Sequence, residues 1–361
     1  MVIFDLMNNR LKNTIALSLI PQIILVKWIG QYPRFIETYY SLGVYPFLSK
    51  ISRTAFGWIP FSAGDIIYAL LFLAIIRYLI LKRNKIKQQP KSFIRNIFVV
   101  LSTAYFTFHL LWGLNYYRIP LSETLSLEET NNSQALESFV EKLIYKTNET
   151  QMLITADSSQ LVKVPYTKKQ ILEKTVKGYQ ELESQFSIFQ YQRPSLKNSL
   201  FSTGLSYMGY GGYLNPFTNE AQVNALLPNF RYPVVAGHEV GHQLGYSAEN
   251  ETNFIGYLVT ASNSDIYFKY SAYSYALAYC LSDIRKSDEP TFERLLKKIN
   301  GGVLKNYNEI TEFWATYKNP TEPIFKSIFD TFLKANNQSK GIDSYNAVVT
   351  LLINYHEEHP L

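Results

Sequence analysis

The residues whose spacing carries chemistry are His238-Glu239-Val240-Gly241-His242, an H-E-x-x-H run. On a helix, two histidines four apart stand one turn from each other, so both imidazoles project from one face. Such a pair suits a tetrahedral Zn²⁺, and Glu239 lies where a general base for metal-activated water belongs. The flanks agree with a short helix: Pro233 is placed for a first helical position and Gly245 for the residue just past the end. Gly237 and Gly241 inside it would each cost roughly 1 kcal/mol against Ala, which predicts close packing. The motif also occurs on ordinary surface helices. Here the chain has five histidines, and two of them fall at this spacing.

A catalytic zinc site takes three protein ligands and keeps a place for water. After a short turn the chain reads Glu249-Asn250-Glu251-Thr252-Asn253, the opening of a second helix. Glu249 and Asn253 are four apart and share a face. Glu249 is the preferred third ligand, with Asn253 holding an imidazole or the carboxylate from behind. Glu251 is the rival ligand; it points roughly 200° around the helix from Glu249, so one helix pose does not present both. Acids in a first turn also suit the positive end of a helix dipole without any metal. As donors to a developing oxyanion, Tyr213, Tyr210 and Tyr345 are candidates by residue type, with His356 and His359 behind them. Gly209, Gly211 and Gly212 allow close backbone approach, to a neighbouring strand, to an extended substrate, or in a tight turn.

The elements that must position these residues read as mainly α with a small β part. Residues 200–227, rich in Gly, Tyr and Asn, read as strands and turns. Helical periodicity covers 133–145, 168–186, 248–261, 273–284, 291–299, 324–333 and 344–356, with 150–165 extended between the first two. Before residue 118 the character differs. Runs at about 14–30, 63–81 and 97–117 are apolar enough to be read as three transmembrane helices, the third ending in an aromatic belt. The first is interrupted by Pro21, Gln22 and Lys27, and a cleaved signal peptide competes with it. Residues 49–58 read either as an interfacial helix or as an aromatic loop. This divides the chain into a membrane domain, 1–117, and an extracytoplasmic domain, 118–361.

Arg10 and Lys12 precede the first run, and Lys82, Arg83, Lys85, Lys87, Lys91 and Arg95 follow the second without an acid between them. The opposite side carries Arg34, Lys50, Arg53 and Arg118. The more basic side stays cytoplasmic, which puts the N-terminus inside and everything after residue 117 outside the cell. The net charge of +6 comes without a basic stripe interleaved with aromatics, so no nucleic-acid partner is expected. A single cysteine, Cys280, excludes an intrachain disulfide and reads as a core residue. His109, inside the third run, reads as a packed histidine.

H-E-x-x-H followed by E-x-x-x-N on the next helix resembles the gluzincin metallopeptidases, which include thermolysin-like and membrane-bound prenyl-protein-processing enzymes. More closely, the three N-terminal spans, NPFTNEAQVN and HEVGHQLGYSAENETNFIGYL resemble a bacterial family of uncharacterised membrane proteins with a predicted zinc-peptidase domain. The specific part of the likeness is 209–258. It implies a zincin-like α+β domain, His238, His242 and Glu249 as ligands, and Glu239 as base. Thr252 departs from it, standing where a small alanine-like residue is expected.

The expected function is therefore a membrane-anchored zinc metallopeptidase acting on a peptide or protein substrate, with the lipid bilayer as its other partner. A non-catalytic metal-binding receptor or scaffold on a peptidase fold is the alternative, and Glu239 argues against it because a structural site has no use for a base. An intramembrane protease is disfavoured, since the flanks of the motif are too short and polar for a span.

Overall fold

The computed structural model describes residues 7–127, 133–339, 341 and 347–361. Long apolar stretches make the N-terminal elements helices. Helix α1 (Asn9–Ile29) is capped by Asn8, whose side chain accepts the Leu11 N–H. The chain then bends by 96° into a helical segment over 33–56, whose middle, Ile36–Val44, is π-helical and whose end is α2 (Tyr45–Phe56). Helix α3 (Ala63–Leu81) starts at Ser62, whose hydroxyl accepts the Asp65 N–H. Helix α4 (Pro90–Leu111) follows the basic loop and ends in a 3-10 turn, Gly113–Tyr117.

Helices α3 and α4 are long and apolar enough to cross a membrane, and a third crossing results if α1 and the bent segment count as one. The first expected span, 14–30, does not qualify by itself, because Lys12, Gln22 and Lys27 dilute α1. The third, expected at 97–117, instead runs over Pro90–Leu111. Its supposed aromatic belt is protein core: Trp112, Tyr116 and Tyr117 are buried, and the Trp112 indole donates to the His242 carbonyl at 2.9 Å. The segment over 49–58 is helical to Phe56. Helix α4 packs along α1, where Gln22 donates to Ser102 at 2.9 Å. Helix α3 leaves the protein surface after its first turn, and only Ala63, Gly64 and Asp65 in it are buried.

The rest of the chain surrounds one helix pair. Helix α5 (Ser133–Thr155) and α6 (Lys168–Glu183, opened by a Thr167/Gln170 capping box) lead to β1 (Leu196–Asn198). Then come α7 (Ser202–Met208), β2 (Gly212–Asn215) and β3 (Glu220–Val223). The sheet order is β1-β3-β2, with β1 parallel to β3 and β2 antiparallel to it, pairing Gly212 with Val223 and Asn215 with Glu220. The expectation of strands and turns over 200–227 thus holds for the hairpin and fails for α7, whose short STGLSYM run has no clear helical period. Residues expected to be extended up to 165 remain helical to Thr155.

Helices α8 (Tyr232–Gln243) and α9 (Glu249–Ser262) form the centre, packed by α10 (Ile266–Ser287), α6, β3 and α5's partner elements in one apolar core. Helices α11 (Glu289–Leu296), α12 (Gly301–Tyr317), α13 (Glu322–Ala335) and α14 (Val348–Glu358) complete the chain. Cys280 is fully buried in that core. A second cluster joins Val26, Ile36, Tyr45, Trp112 and Tyr116 to Leu333 of α13, so residues before 118 are built into the same body as the rest.

Candidate metal centre

Two glycines let the central helices touch. A Cβ on Gly237 would lie 2.5 Å from Val259 Cγ1, and one on Gly256 would lie 2.5 Å from the Val234 carbonyl oxygen. Side chains of α9 therefore reach across to α8 at short range. Gly245, at φ +87°, takes the left-handed position that ends α8 and turns the chain into α9.

Along α8, Val235, His238, Glu239 and His242 face one cleft. The far nitrogen of each imidazole is engaged. His242 Nδ1 lies 2.8 Å from the Tyr246 carbonyl oxygen, and His238 Nδ1 lies 2.9 Å from Asn253 Oδ1. Those oxygens accept, so each Nδ1 carries the proton and each Nε2 keeps its lone pair. Both Nε2 atoms point at Glu249, His238 at 3.3 Å from Oε2 and His242 at 3.8 Å from Oε1. Donors bound at about 2.0–2.1 Å around a tetrahedral zinc stand roughly 3.4 Å apart, so these separations fit a shared ion. His238, Glu239 and His242 also offer ligand atoms within 4.8 Å of one another. Glu249 lies within 3.8 Å of both Nε2 atoms, an approach that Glu239 does not make, so Glu249 is the better placed third donor.

Glu239 is 3% exposed, and its Oε2 has no hydrogen-bond partner among the described residues. Its carboxylate rests against β2, where a Cβ on Gly212 would meet Glu239 Oε1 at 2.6 Å. Thr252, the departure from the expected pattern, donates to the Ala248 and Glu249 carbonyls and stands 3.5 Å from His238 Nε2, so its hydroxyl is spent on its own helix. Glu251 does not join the cluster. Its Oε1 accepts the Leu121 N–H at 2.7 Å, beside the buried Arg118–Glu37 ion pair of 2.6 Å. The 200° separation on the helix puts the two glutamates into different networks.

The electrostatics suit a cation. Burial pushes Glu239 up to about 8, with the charge of Glu249 adding and that of His238 opposing. Burial holds His242 down to about 4, against the pull of Glu249. His238 is also penalised by burial, but its contact with Glu249 and the charge of Glu239 carry it above the ordinary imidazole value. Burial likewise raises Glu251 to about 7. A divalent ion would offset the charge of the two buried carboxylates and take the two Nε2 atoms as ligands in their neutral form.

The cluster opens on a cleft of about 1260 Å³. One wall is β2, whose outer edge no strand covers among the described residues. Of the proposed oxyanion donors, Tyr210 and Tyr213 line the cleft, but each hydroxyl is directed away: Tyr210 donates to the Phe325 carbonyl and Tyr213 to Asp65. Tyr345 lies outside the described residues. His356 is remote, paired with Tyr257 at 2.6 Å and stacked on Phe139, and His359 stacks on Tyr355. Sequence reasoning passed over Tyr116 and Tyr275, both lining the cleft and close enough to Glu249 to feel its charge. It also passed over Arg231, which lies 4.0 Å over the Tyr275 ring and makes no ion pair among the described residues.

The sheet is tied to the membrane-length helix α3 at the same place. Glu220 of β3, fully buried, accepts the Ala63 and Gly64 N–H groups at the start of α3 and pairs with Lys197 at 2.5 Å. Asp65, also fully buried, accepts from Ser199 and from the Leu200 N–H. On the other side, Gln243 of α8 bonds Ser195, Asn219 and Tyr191, and its own carbonyl accepts the Tyr45 hydroxyl.

Fold and site thus define a mainly helical protein with two or three membrane-length apolar helices and a buried His-Glu-His cluster at their junction with a small sheet. A family model described as protein of unknown function (DUF3810) matches residues 40–353, so the chain belongs to that family. No curated protein and no solved structure matches it.

Proposed function

We propose that this protein is a membrane-anchored metallopeptidase of gluzincin type, with His238, His242 and Glu249 holding a Zn²⁺ ion. The observation that carries the reading is the convergence of both Nε2 atoms on Glu249, with an unpartnered Glu239 carboxylate oxygen beside them. The ion would supply Lewis acidity to a water and to the scissile carbonyl. Glu239 takes the proton from that water and passes it to the departing amine nitrogen. Burial raises its affinity for a proton, and the positive charge of a bound ion would draw it back to the carboxylate that can act as base. Asn253 and the Tyr246 carbonyl orient the imidazoles. The uncovered edge of β2 offers main-chain groups to an extended peptide. Tyr116, Tyr275 and Arg231 replace Tyr210 and Tyr213 as the groups placed to meet a developing negative charge. The basic residues between α3 and α4 favour a cytoplasmic position for that segment, which supports an extracytoplasmic cleft at the opposite ends of those helices.

The test compares wild type with Glu239→Gln in zinc content and in cleavage of a broad peptide library. Equal zinc with cleavage by wild type alone supports the reading. Equal zinc with no cleavage by either favours the metal-binding receptor, and protein that takes up no zinc overturns both. A reporter fused after Leu361 reads the sidedness, and activity in the cytoplasm reverses it.

A further inference from the structure

The cleft is walled by two helices of membrane length. Tyr68, in the second turn of α3, and Phe108 and Trp112, at the end of α4, line the same space as His238 and His242. These two helices do not close against each other. Helix α4 packs on α1, while α3 stands apart, with Leu70, Phe72 and Ile80 between 60% and 64% exposed. Lining residues from both helices thus join their exposed apolar surfaces to the foot of the cleft.

The rim continues that surface. Helix α13 turns Phe329 and Phe332 towards the cleft, where Phe332 meets Phe108 and Tyr116 edge-on. Its outer face presents Ile324 and Ile328, 58% and 61% exposed, with Phe325 between them. Across the mouth, Leu200, Phe201 and Tyr207 are exposed as well. Rim residues of this kind, contiguous with membrane-length helices, belong in a bilayer interface rather than in water. Charged groups border the apolar face: Lys27, in the last turn of α1, donates to the Ala335 carbonyl at the end of α13, and Lys326 and Lys334 flank the face, each paired with a carboxylate of its own helix, Glu322 and Asp330.

We infer that the cleft opens sideways into the bilayer between α3 and α4, and that its substrate is a membrane-anchored polypeptide cut next to its own span. The inference rests on the peptidase reading for the word substrate, and on the position of the cleft for the rest. A chain anchored in the same leaflet slides in past Tyr68 and Phe108 and lies extended along β2. A soluble peptide reaches the same cleft only over the apolar rim. Confinement to the membrane raises the effective concentration of an anchored segment, so its cleavage should exceed that of the free segment by about 10²-fold.

The experiment uses the full chain in phospholipid nanodiscs and a pool of randomised decapeptides in two forms, free and fused to a single leucine-alanine transmembrane helix. Wild type is read for cleavage. A Glu239→Gln chain with benzoylphenylalanine at Tyr68 is read for photocrosslinking. Preferential cleavage and crosslinking of the anchored form are expected, and Ile328→Glu should narrow the ratio of anchored to free-peptide cleavage towards one. Equal cleavage and equal crosslinking of both forms overturn the inference and leave the peptidase reading intact. Crosslinking of the anchored form without any cleavage sinks the peptidase reading and keeps the lateral entrance. No crosslink with either form overturns the entrance, whatever the cleavage.

Discussion

Helices α9 and α3 are both largely apolar and are solvated in opposite ways. In α9 nearly every residue from Glu249 to Thr260 is buried by protein. Its polar members are each given a partner: Glu249 the two imidazoles, Asn253 one of them, Glu251 the Leu121 N–H. In α3 the only buried polar side chain is Asp65, at the end that meets the sheet, and the apolar residues after it touch little of the chain. Apolar content alone therefore does not say whether protein or bilayer will cover a helix. What separates the two is the length of the apolar stretch between polar ends: residues 254–259 in α9, six in all, against residues 66–76 in α3, eleven between Asp65 and Arg77.

The largest expected effect is at the buried face. Phe254→Ala should cost about 3–5 kcal/mol by leaving a cavity against Tyr355, measured by denaturant unfolding in detergent. A loss below about 1 kcal/mol would mean that α9 is not packed as described. Next comes the joint between the regions. Lys197→Met leaves Glu220 charged and buried with only the α3 amides and the Thr218 hydroxyl facing it, and should cost about 3 kcal/mol and loosen α3 in hydrogen exchange.

Asn253→Ala should weaken zinc binding about 10–100-fold without unfolding, since His238 loses the acceptor that fixes its ring; calorimetric titration of zinc reads this. A pH effect follows from His356, which burial holds down to about 4. Its folded value lies below the unfolded one, so its contribution to stability is complete above about 6.5 and lost as pH falls towards 4. Part of the ring is exposed, and screening limits the loss to about 2 kcal/mol. His356→Gln should flatten the thermal-midpoint profile between those pH values, and an unchanged profile would remove His356 as its source. Smallest is Phe72→Ala on the outer face of α3, expected within about 0.5 kcal/mol in detergent. A loss as large as that of Phe254→Ala would show that protein covers α3.

Much of the centre was legible because helical spacing is local. His238 with His242, and Glu249 with Asn253, share faces on any helix, and Glu251 on the far side follows from the same arithmetic. The apolar run of α3 was equally plain, and Gly237 signalled a close approach before any partner for it was known. Residues 112–117 were misread because aromatics suit a membrane interface and a protein core alike, and nothing local reports that Trp112 meets the His242 carbonyl. Helix α7 and strand β1 were missed because seven and three residues are too few to establish a period.

By itself the sequence determined the helix faces that carry His238, His242 and Glu249, the apolar helices and the mainly α class, since each depends on residue order within one or two turns. Tertiary structure decided what those faces meet. It set Glu249 rather than Glu251 against the imidazoles and turned Tyr213 towards Asp65. It also brought the ends of α3, α4 and α13 around one cleft. Those are contacts between residues as distant in the chain as Phe108 and Phe332, and side-chain type does not encode which of many compatible partners a folded chain brings near.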